Sequence, residues 1–232
     1  MMHVLRGGAA FAVFVLTTVA GGAWATEVSI GGVSITLPAP AGFCELSADQ
    51  PADNRALTMA GGRHEKEGNK LLGFFADCQQ LADWRAGKRR GVDDYVQAHA
   101  NIADMVQVVV SPKAAIHEAC VKLRAEGEDF TSAGAPDIKS KIEGSLPNVK
   151  VNSLEFVGVL AEDDTACYAA GILKARLPNG ADTTQLYLHA ITVVKSKVIF
   201  VNRFAPYTSA DATLGLLAKL RDTVAALHAA NK

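Results

Sequence analysis

The residues best suited to chemistry in this chain are four cysteines, Cys44, Cys78, Cys120 and Cys167, and the histidines His64, His99, His117, His189 and His228. A cysteine attacks only as a free thiolate held beside a base. No Cys-x-x-Cys occurs, and the one histidine near ligand spacing from a cysteine is His117, three positions before Cys120. In an oxidising compartment an even set of cysteines reads as a disulfide framework. Four cysteines allow three connectivities. The sequence leaves that choice open, with Cys44–Cys78 plus Cys120–Cys167 as the favoured pairing.

The histidines are scattered, so they can act together only if the fold gathers them. His117-Glu118 lacks the second histidine at i+4 that a helical zinc site needs, and reads as an exposed pair. His189 lies between Tyr187 and Ile191 in an alternating run, and with Cys167 it would make a thiol–imidazole pair if that cysteine were free. Glu162-Asp163-Asp164 supplies carboxylates but has neither the spacing nor the distal Glu of an EF-hand, and reads as a solvated turn. Arg85, Lys88, Arg89 and Arg90, beside Trp84, form a small basic cluster that would suit an anionic surface. Gly-x-Ser-x-Gly, Ser-x-x-Lys, His-Glu-x-x-His, phosphate loops and dinucleotide fingerprints are all absent. No catalytic, cofactor-binding or metal-ligating residue is therefore assigned, and no cofactor is expected.

The beginning of the chain indicates a compartment. Arg6 is followed by an apolar run from Ala9 to Ala20, then by Ala23-Trp24-Ala25, the small-x-small pattern a signal peptidase accepts. The run is shorter than the ~20 residues that span a bilayer. We read residues 1–25 as a cleaved secretory signal and residues 26–232 as one globular domain, periplasmic or secreted. No cysteine stands at the cleavage point, and the one Arg-Arg pair, Arg89-Arg90, is far from the leader, so lipid anchoring and twin-arginine export are not expected. Asn-x-Ser/Thr is also absent, which fits a bacterial periplasmic protein. The net charge of −1 gives no global field for nucleic acid or anionic membranes. No later apolar stretch is long enough for a transmembrane helix.

The elements that must position these residues follow from pattern. Val28–Ile30 and Val33–Leu37, alternating around Gly31-Gly32, predict a hairpin. Pro51 in a first turn predicts a helix over 51–66, Lys70–Cys78 a buried strand, and 79–86 a short helix presenting Leu81 and Trp84 and ended by Gly87. Ile102–Val110 closes in the β-rich run Val106–Val110. Lys113–Glu126 reads as a helix with Ile116, Cys120 and Leu123 on one face. Residues 127–149 are polar and punctuated, with a weak helix signal over Pro136–Glu143. From Val149 onward four strands follow with short turns, at Glu162–Thr165, Pro178–Gly180 and Lys195–Lys197, which makes neighbours antiparallel. Ser209 caps a last helix with a stripe of Leu214, Leu217, Leu220, Val224 and Leu227. The fold class is α+β: an antiparallel sheet, made of an N-terminal hairpin and a C-terminal four-strand meander, flanked by helices.

Three features together resemble the PsbP-like superfamily: the early hairpin leading to Leu37-Pro38…Gly42-Phe43, the meander, and Val198-Ile199-Phe200-Val201 followed by the helix ending Leu220-Arg221-Asp222-Thr223-Val224. That group includes an extrinsic photosystem subunit, a small Ran-binding nuclear protein and many exported bacterial proteins. The resemblance covers about half of the domain. It implies a helix-flanked antiparallel sheet used as a protein-docking scaffold, and it transfers no site residue. The four cysteines and the helix-rich middle depart from it. The expectation is a non-enzymatic exported domain that binds a protein or cell-envelope component. The alternative is a hydrolase or thiol enzyme whose site is assembled from separated residues.

Overall fold

The computed structural model describes residues 25–129, 143, 150–177 and 180–232. The leader, the helix signal over Pro136–Glu143 apart from Glu143 itself, and most of the Pro178–Gly180 turn lie outside these residues. Nine strands and four helices occur among the described residues, and the class is α+β. The hairpin pairs β1 (Ala25–Ile30) with β2 (Val33–Pro38) as a separate two-stranded sheet. Gly31 and Gly32 both take positive φ, as a two-residue turn of this kind requires. Gly31 also has no room for a side chain, because a Cβ there would lie 2.0 Å from the Met105 carbonyl oxygen.

The main sheet has seven antiparallel strands. They are β3 (Phe43–Glu45), β4 (Asn69–Asp77), β5 (Tyr95–Asn101), β6 (Lys150–Glu162), β7 (Ala166–Arg176), β8 (Asp182–Val194) and β9 (Lys197–Pro206), in the order β3-β4-β5-β9-β8-β7-β6. The meander β6–β9 forms as its short turns predict. Lys195 and Ser196 take left-handed φ to make the β8–β9 turn without glycine. One expectation needs correction. The β-rich run Val106–Val110 is not a strand, and the strand beside it is Tyr95–Asn101, hydrogen-bonded to β4 on one side and β9 on the other. Val106, Val108 and Val110 are exposed, while Lys197 Nζ donates to the carbonyls of Met105 and Gln107 and pins the segment down. A central strand needs two paired neighbours, and high β-propensity does not supply them.

Four helices pack on this sheet: α1 (Pro51–Lys66), α2 (Cys78–Arg85), α3 (Pro112–Asp129) and α4 (Ala210–Ala229). Ser209 Oγ accepts from Ala212 N at 3.1 Å and caps α4. The buried stripe of α4 is Thr213, Leu217, Leu220, Val224 and Leu227. Leu214, expected in that stripe, is 64% exposed. The 4-3-4-3 spacing centres the face on Thr213, about 100° away from Leu214. Together α4 and the hairpin close one face of the sheet over Ala98, Val201, Leu188, Ile199 and Tyr168. Asn231, just past α4, accepts from Thr36 N and donates to Thr36 O, which clips the helix end to β2.

The opposite face is covered in two places. Helix α1 packs on β4, with α2 alongside, around Leu46, Phe74, Ala76 and Leu81. Helix α3 packs on β6, β7 and β8 around Ile116, Cys120, Cys167 and Val193. Two disulfides reinforce these patches. Cys44–Cys78 joins β3 to the start of α2 with Cα atoms 4.9 Å apart, and Cys120–Cys167 joins α3 to β7 at 5.5 Å. Both bridges close loops long enough to contribute about 4 kcal/mol each through the unfolded state.

Candidate functional site

Between the two covered patches the sheet is left open over β5, β9 and β8, and the opening is a cavity of about 500 Å³. That volume lies within the range of small-molecule sites, roughly 300–1,000 Å³. Strand alternation decides what lines it. On β5, Val96, Ala98 and Ala100 point into the core while Tyr95 and His99 line the cavity. On β9, Val201 faces the core while Asn202 and Phe204 line the cavity; on β8, Leu186, Leu188 and Ala190 contrast in the same way with Tyr187 and His189. The end of α1 adds Arg63, His64 and Glu67, and Leu123, Leu154 and Leu173 form an apolar wall from α3, β6 and β7. Helix α3 approaches β6 closely at Gly127, where a Cβ would come within 2.3 Å of the Phe156 ring.

The fold gathers three of the scattered histidines here. His64 and His99 have ring centroids 4.6 Å apart. Asn202 bridges His99 and His189: its Oδ1 bonds to His189 Nδ1 and its Nδ2 lies 3.4 Å from His99 Nδ1. His64 Nε2 lies 3.1 Å from Gln97 Oε1, and the Tyr187 hydroxyl lies 3.1 Å from His189 Nδ1. Aromatic rings pave the floor around them. Tyr95 stacks on Phe204 at 4.6 Å, and Phe200 stacks on His99 at 5.0 Å and on His189 at 5.6 Å.

Burial dominates the electrostatics of this cluster. Desolvation holds the imidazole of His99 down at about 2, with neighbouring His64 and His189 adding like-charge repulsion. Burial also lowers His64, partly offset by its bond to Gln97, and lowers His189, partly offset by Asn202. The same desolvation pushes the Tyr95 hydroxyl up to about 12 and raises Tyr187. At neutral pH the floor is thus a set of uncharged donors and acceptors. Arg63 and Glu67 lie 3.7 Å apart near the end of α1, and Glu155 on β6 is exposed. Among the described residues no group of three or more His, Cys, Asp or Glu side chains is placed to hold a metal ion.

The other residues singled out in the sequence lie elsewhere. His117 Nδ1 meets Glu162 at 2.8 Å on the surface, where Arg124 also binds Glu162 at 2.9 Å. These bonds hold the Glu162 carboxyl below its usual range. Asp163 Oδ1 accepts from the backbone and hydroxyl of Thr165 and from Ala166 N, so the 162–165 segment is a hydrogen-bonded turn. His228 Nε2 bonds Thr192 Oγ1 at 2.8 Å on the α4 side. The basic cluster is largely paired: Arg85 grips the fully buried Asp53, Lys88 lies 3.7 Å from Asp83, and Arg89 bonds Asp93 at 2.6 Å. Arg90 is exposed. All four cysteines are in disulfides, so Cys167 offers no thiol to His189.

Sequence reasoning singled out His189 but missed Tyr95, His99 and Asn202 as a unit. The available signal was the period-2 split in Tyr-Val-Gln-Ala-His-Ala-Asn over residues 95–101, with polar and aromatic residues on one side and small apolar ones on the other.

No protein-family model matches the chain, and no curated protein matches it. Among solved structures it is similar to the Saccharomyces cerevisiae Ran-binding protein Mog1p, at 13% identity and a TM-score of 0.32, over 90% of this chain and 93% of that one.

Proposed function

We propose that residues 26–232 form an exported, non-catalytic binding domain that takes a small molecule, or a group projecting from an envelope component, into the cavity between α1 and α3. The observation that carries this reading is the roughly 500 Å³ cavity paved by aromatic rings and uncharged hydrogen-bonding groups. The Arg6-to-Ala25 leader pattern supports export to a periplasmic or secreted location. Kinship with the PsbP-like superfamily belongs to the proposal only as a scaffold for docking, since fold likeness does not carry function. Among the described residues no helix is long and apolar enough to cross a membrane.

Native mass spectrometry of protein isolated from the exported fraction tests the reading. A bound small molecule that is lost when Ala169→Phe fills the cavity supports it. A ligand retained unchanged by that variant, or a chain that stays unprocessed in the cytoplasm, overturns the corresponding half of the proposal.

A hydrolase reading has one observation in its favour, the position of His189 in the cavity. Against it, the described lining residues include no serine, threonine or cysteine, and an imidazole whose basicity is depressed by burial is a poor general base at neutral pH. Turnover of p-nitrophenyl acetate that disappears in His189→Gln would restore it.

A further inference from the structure

The hydrogen-bond network on the cavity floor can be followed proton by proton. Asn202 Oδ1 can only accept, so His189 Nδ1 donates to it; Asn202 Nδ2 can only donate, so His99 Nδ1 accepts. This single amide fixes both tautomers. His99 keeps its proton on Nε2 as a donor, and His189 keeps a lone pair on Nε2 as an acceptor. The Tyr187 oxygen, 3.1 Å from the protonated His189 Nδ1, accepts there and retains its own proton to give. Beside them, His64 donates from Nε2 to Gln97, which leaves His64 Nδ1 as a buried acceptor with no hydrogen-bond partner among the described residues. A buried polar atom without a partner costs about 1–3 kcal/mol. It therefore marks a place where a ligand group would be stabilising.

The lining residues thus offer two donors, Tyr187 Oη–H and His99 Nε2–H, and two acceptors, His189 Nε2 and His64 Nδ1. Flat rings flank them: Tyr95 and Phe204, stacked within 17° of parallel, line the cavity, and Phe200, outside the lining, lies within 17° of parallel to both His99 and His189. Leu123, Leu154 and Leu173 close the other side. Charge is confined to the α1 edge and the rim: Arg63 lies 3.7 Å from Glu67, beyond hydrogen-bond range, with its buried Nε unpartnered among the described residues, and Glu155 stands exposed. Over the histidines an ionised ligand would lose its hydration against uncharged groups, and only at the α1 edge would it meet Arg63.

Building on the reading of this cavity as the binding site, we propose that its ligand is an uncharged planar ring carrying a hydrogen-bond donor beside an acceptor, the chemistry of a cyclic amide. The ring lies on the aromatic floor against the leucine wall. Its carbonyl accepts from Tyr187 and His99, and its N–H donates to His64 or His189.

Four bicyclic probes of matched size separate the alternatives: 2-quinolone, naphthalene, quinoline-2-carboxylate and N-methylquinolinium. Each is titrated into the protein while the imidazole NMR signals of His99 and His189 are followed. The expected result is that 2-quinolone shifts those signals and binds at least about five-fold tighter than the other three, a difference of the size one or two hydrogen bonds produce. Tyr187→Phe keeps the ring and removes only the hydroxyl. It is expected to weaken 2-quinolone by roughly three- to ten-fold and to leave naphthalene unchanged. Equal or tighter binding of naphthalene or of either ion overturns the ligand class while leaving the cavity as the binding site. Failure of all four probes to move either histidine at millimolar concentration overturns the cavity reading itself. The comparison of probes on the unmodified protein stands even if the variant does not fold.

Discussion

The two faces of the seven-stranded sheet are built from the same central strands and end in opposite states. Residues 96, 98 and 100 of β5 belong to the apolar core that α4 helps to close, while residues 95 and 99, their neighbours in the chain, line an open cavity. The α4 face follows the usual economy of folding: apolar side chains are removed from water and the area buried drives stability. The cavity face carries histidine, tyrosine and asparagine in positions that an apolar residue would fill more favourably, and one imidazole nitrogen there lacks a partner. Locally unfavourable choices of this kind cluster where function requires them. The candidate site thus occupies the face with the less favourable packing, and four experiments probe that difference.

The largest effect is expected from the disulfides. Removing Cys120–Cys167 by paired alanine substitution should cost about 4 kcal/mol in a urea melt, and removing Cys44–Cys78 should cost about as much. Only the first should also weaken ligand binding, because it frees α3, which carries part of the cavity wall, from β7. Equal damage to binding from both would dissolve the distinction.

Next in size is a pair of leucine truncations. Leu220→Ala, at a fully buried position on α4, should lower stability by about 3–4 kcal/mol. Leu173→Ala, on the half-buried cavity wall, should cost less than about 1.5 kcal/mol, because it enlarges a space that is already open. Similar shifts in the urea midpoint would mean that the two faces are packed alike.

Acid should act through the cavity face. His64, His99 and His189 are held below their usual values in the folded protein, so the unfolded chain binds more protons once pH falls below about 6.5. Stability is therefore full above that pH and falls as pH drops. With His99 at about 2, it alone should remove about 1.4 kcal/mol per pH unit, or about 2 kcal/mol by pH 5. Glu27, Glu162, Asp163 and Asp182 have lowered values, so the stability they contribute is lost only below about 4. Asp94, raised by burial beside Arg203, works in the opposite sense. The window from 6.5 to 5 thus belongs to the histidines. Urea melts at several pH values check this, and His99→Gln should reduce the slope by about one proton.

The smallest effect should come from Tyr187→Phe. Its stability should stay within about 1 kcal/mol of the parent, since only a hydroxyl contact to His189 is lost. A larger loss in thermal melts would make the hydroxyl structural rather than a ligand contact.

Much of the fold was legible in the chain because it rests on local rules. Gly31-Gly32 allowed a hairpin turn, Pro51 and Ser209 marked helix starts, and short turns forced the meander to be antiparallel. Less was legible of the strand carrying half the site. Val106–Val110 has the stronger β-propensity, yet Tyr95–Asn101 is the strand, because pairing with β4 and β9 outweighs composition. The small Ala98 and Ala100 that suit the tightly packed core gave too weak an apolar signal to be noticed.

The α+β class and the residue types available for chemistry could be read from the chain alone, because both depend on nearest neighbours and composition. Folding was needed to bring His64, His99 and His189 into one cavity, to place Asn202 between His99 and His189, and to set Arg85 against the buried Asp53. The physical reason is one of range. Helix and turn signals act over a few residues, whereas these contacts join positions up to 103 apart in the chain, as from His99 to Asn202, and exist only once strands from both halves share a sheet.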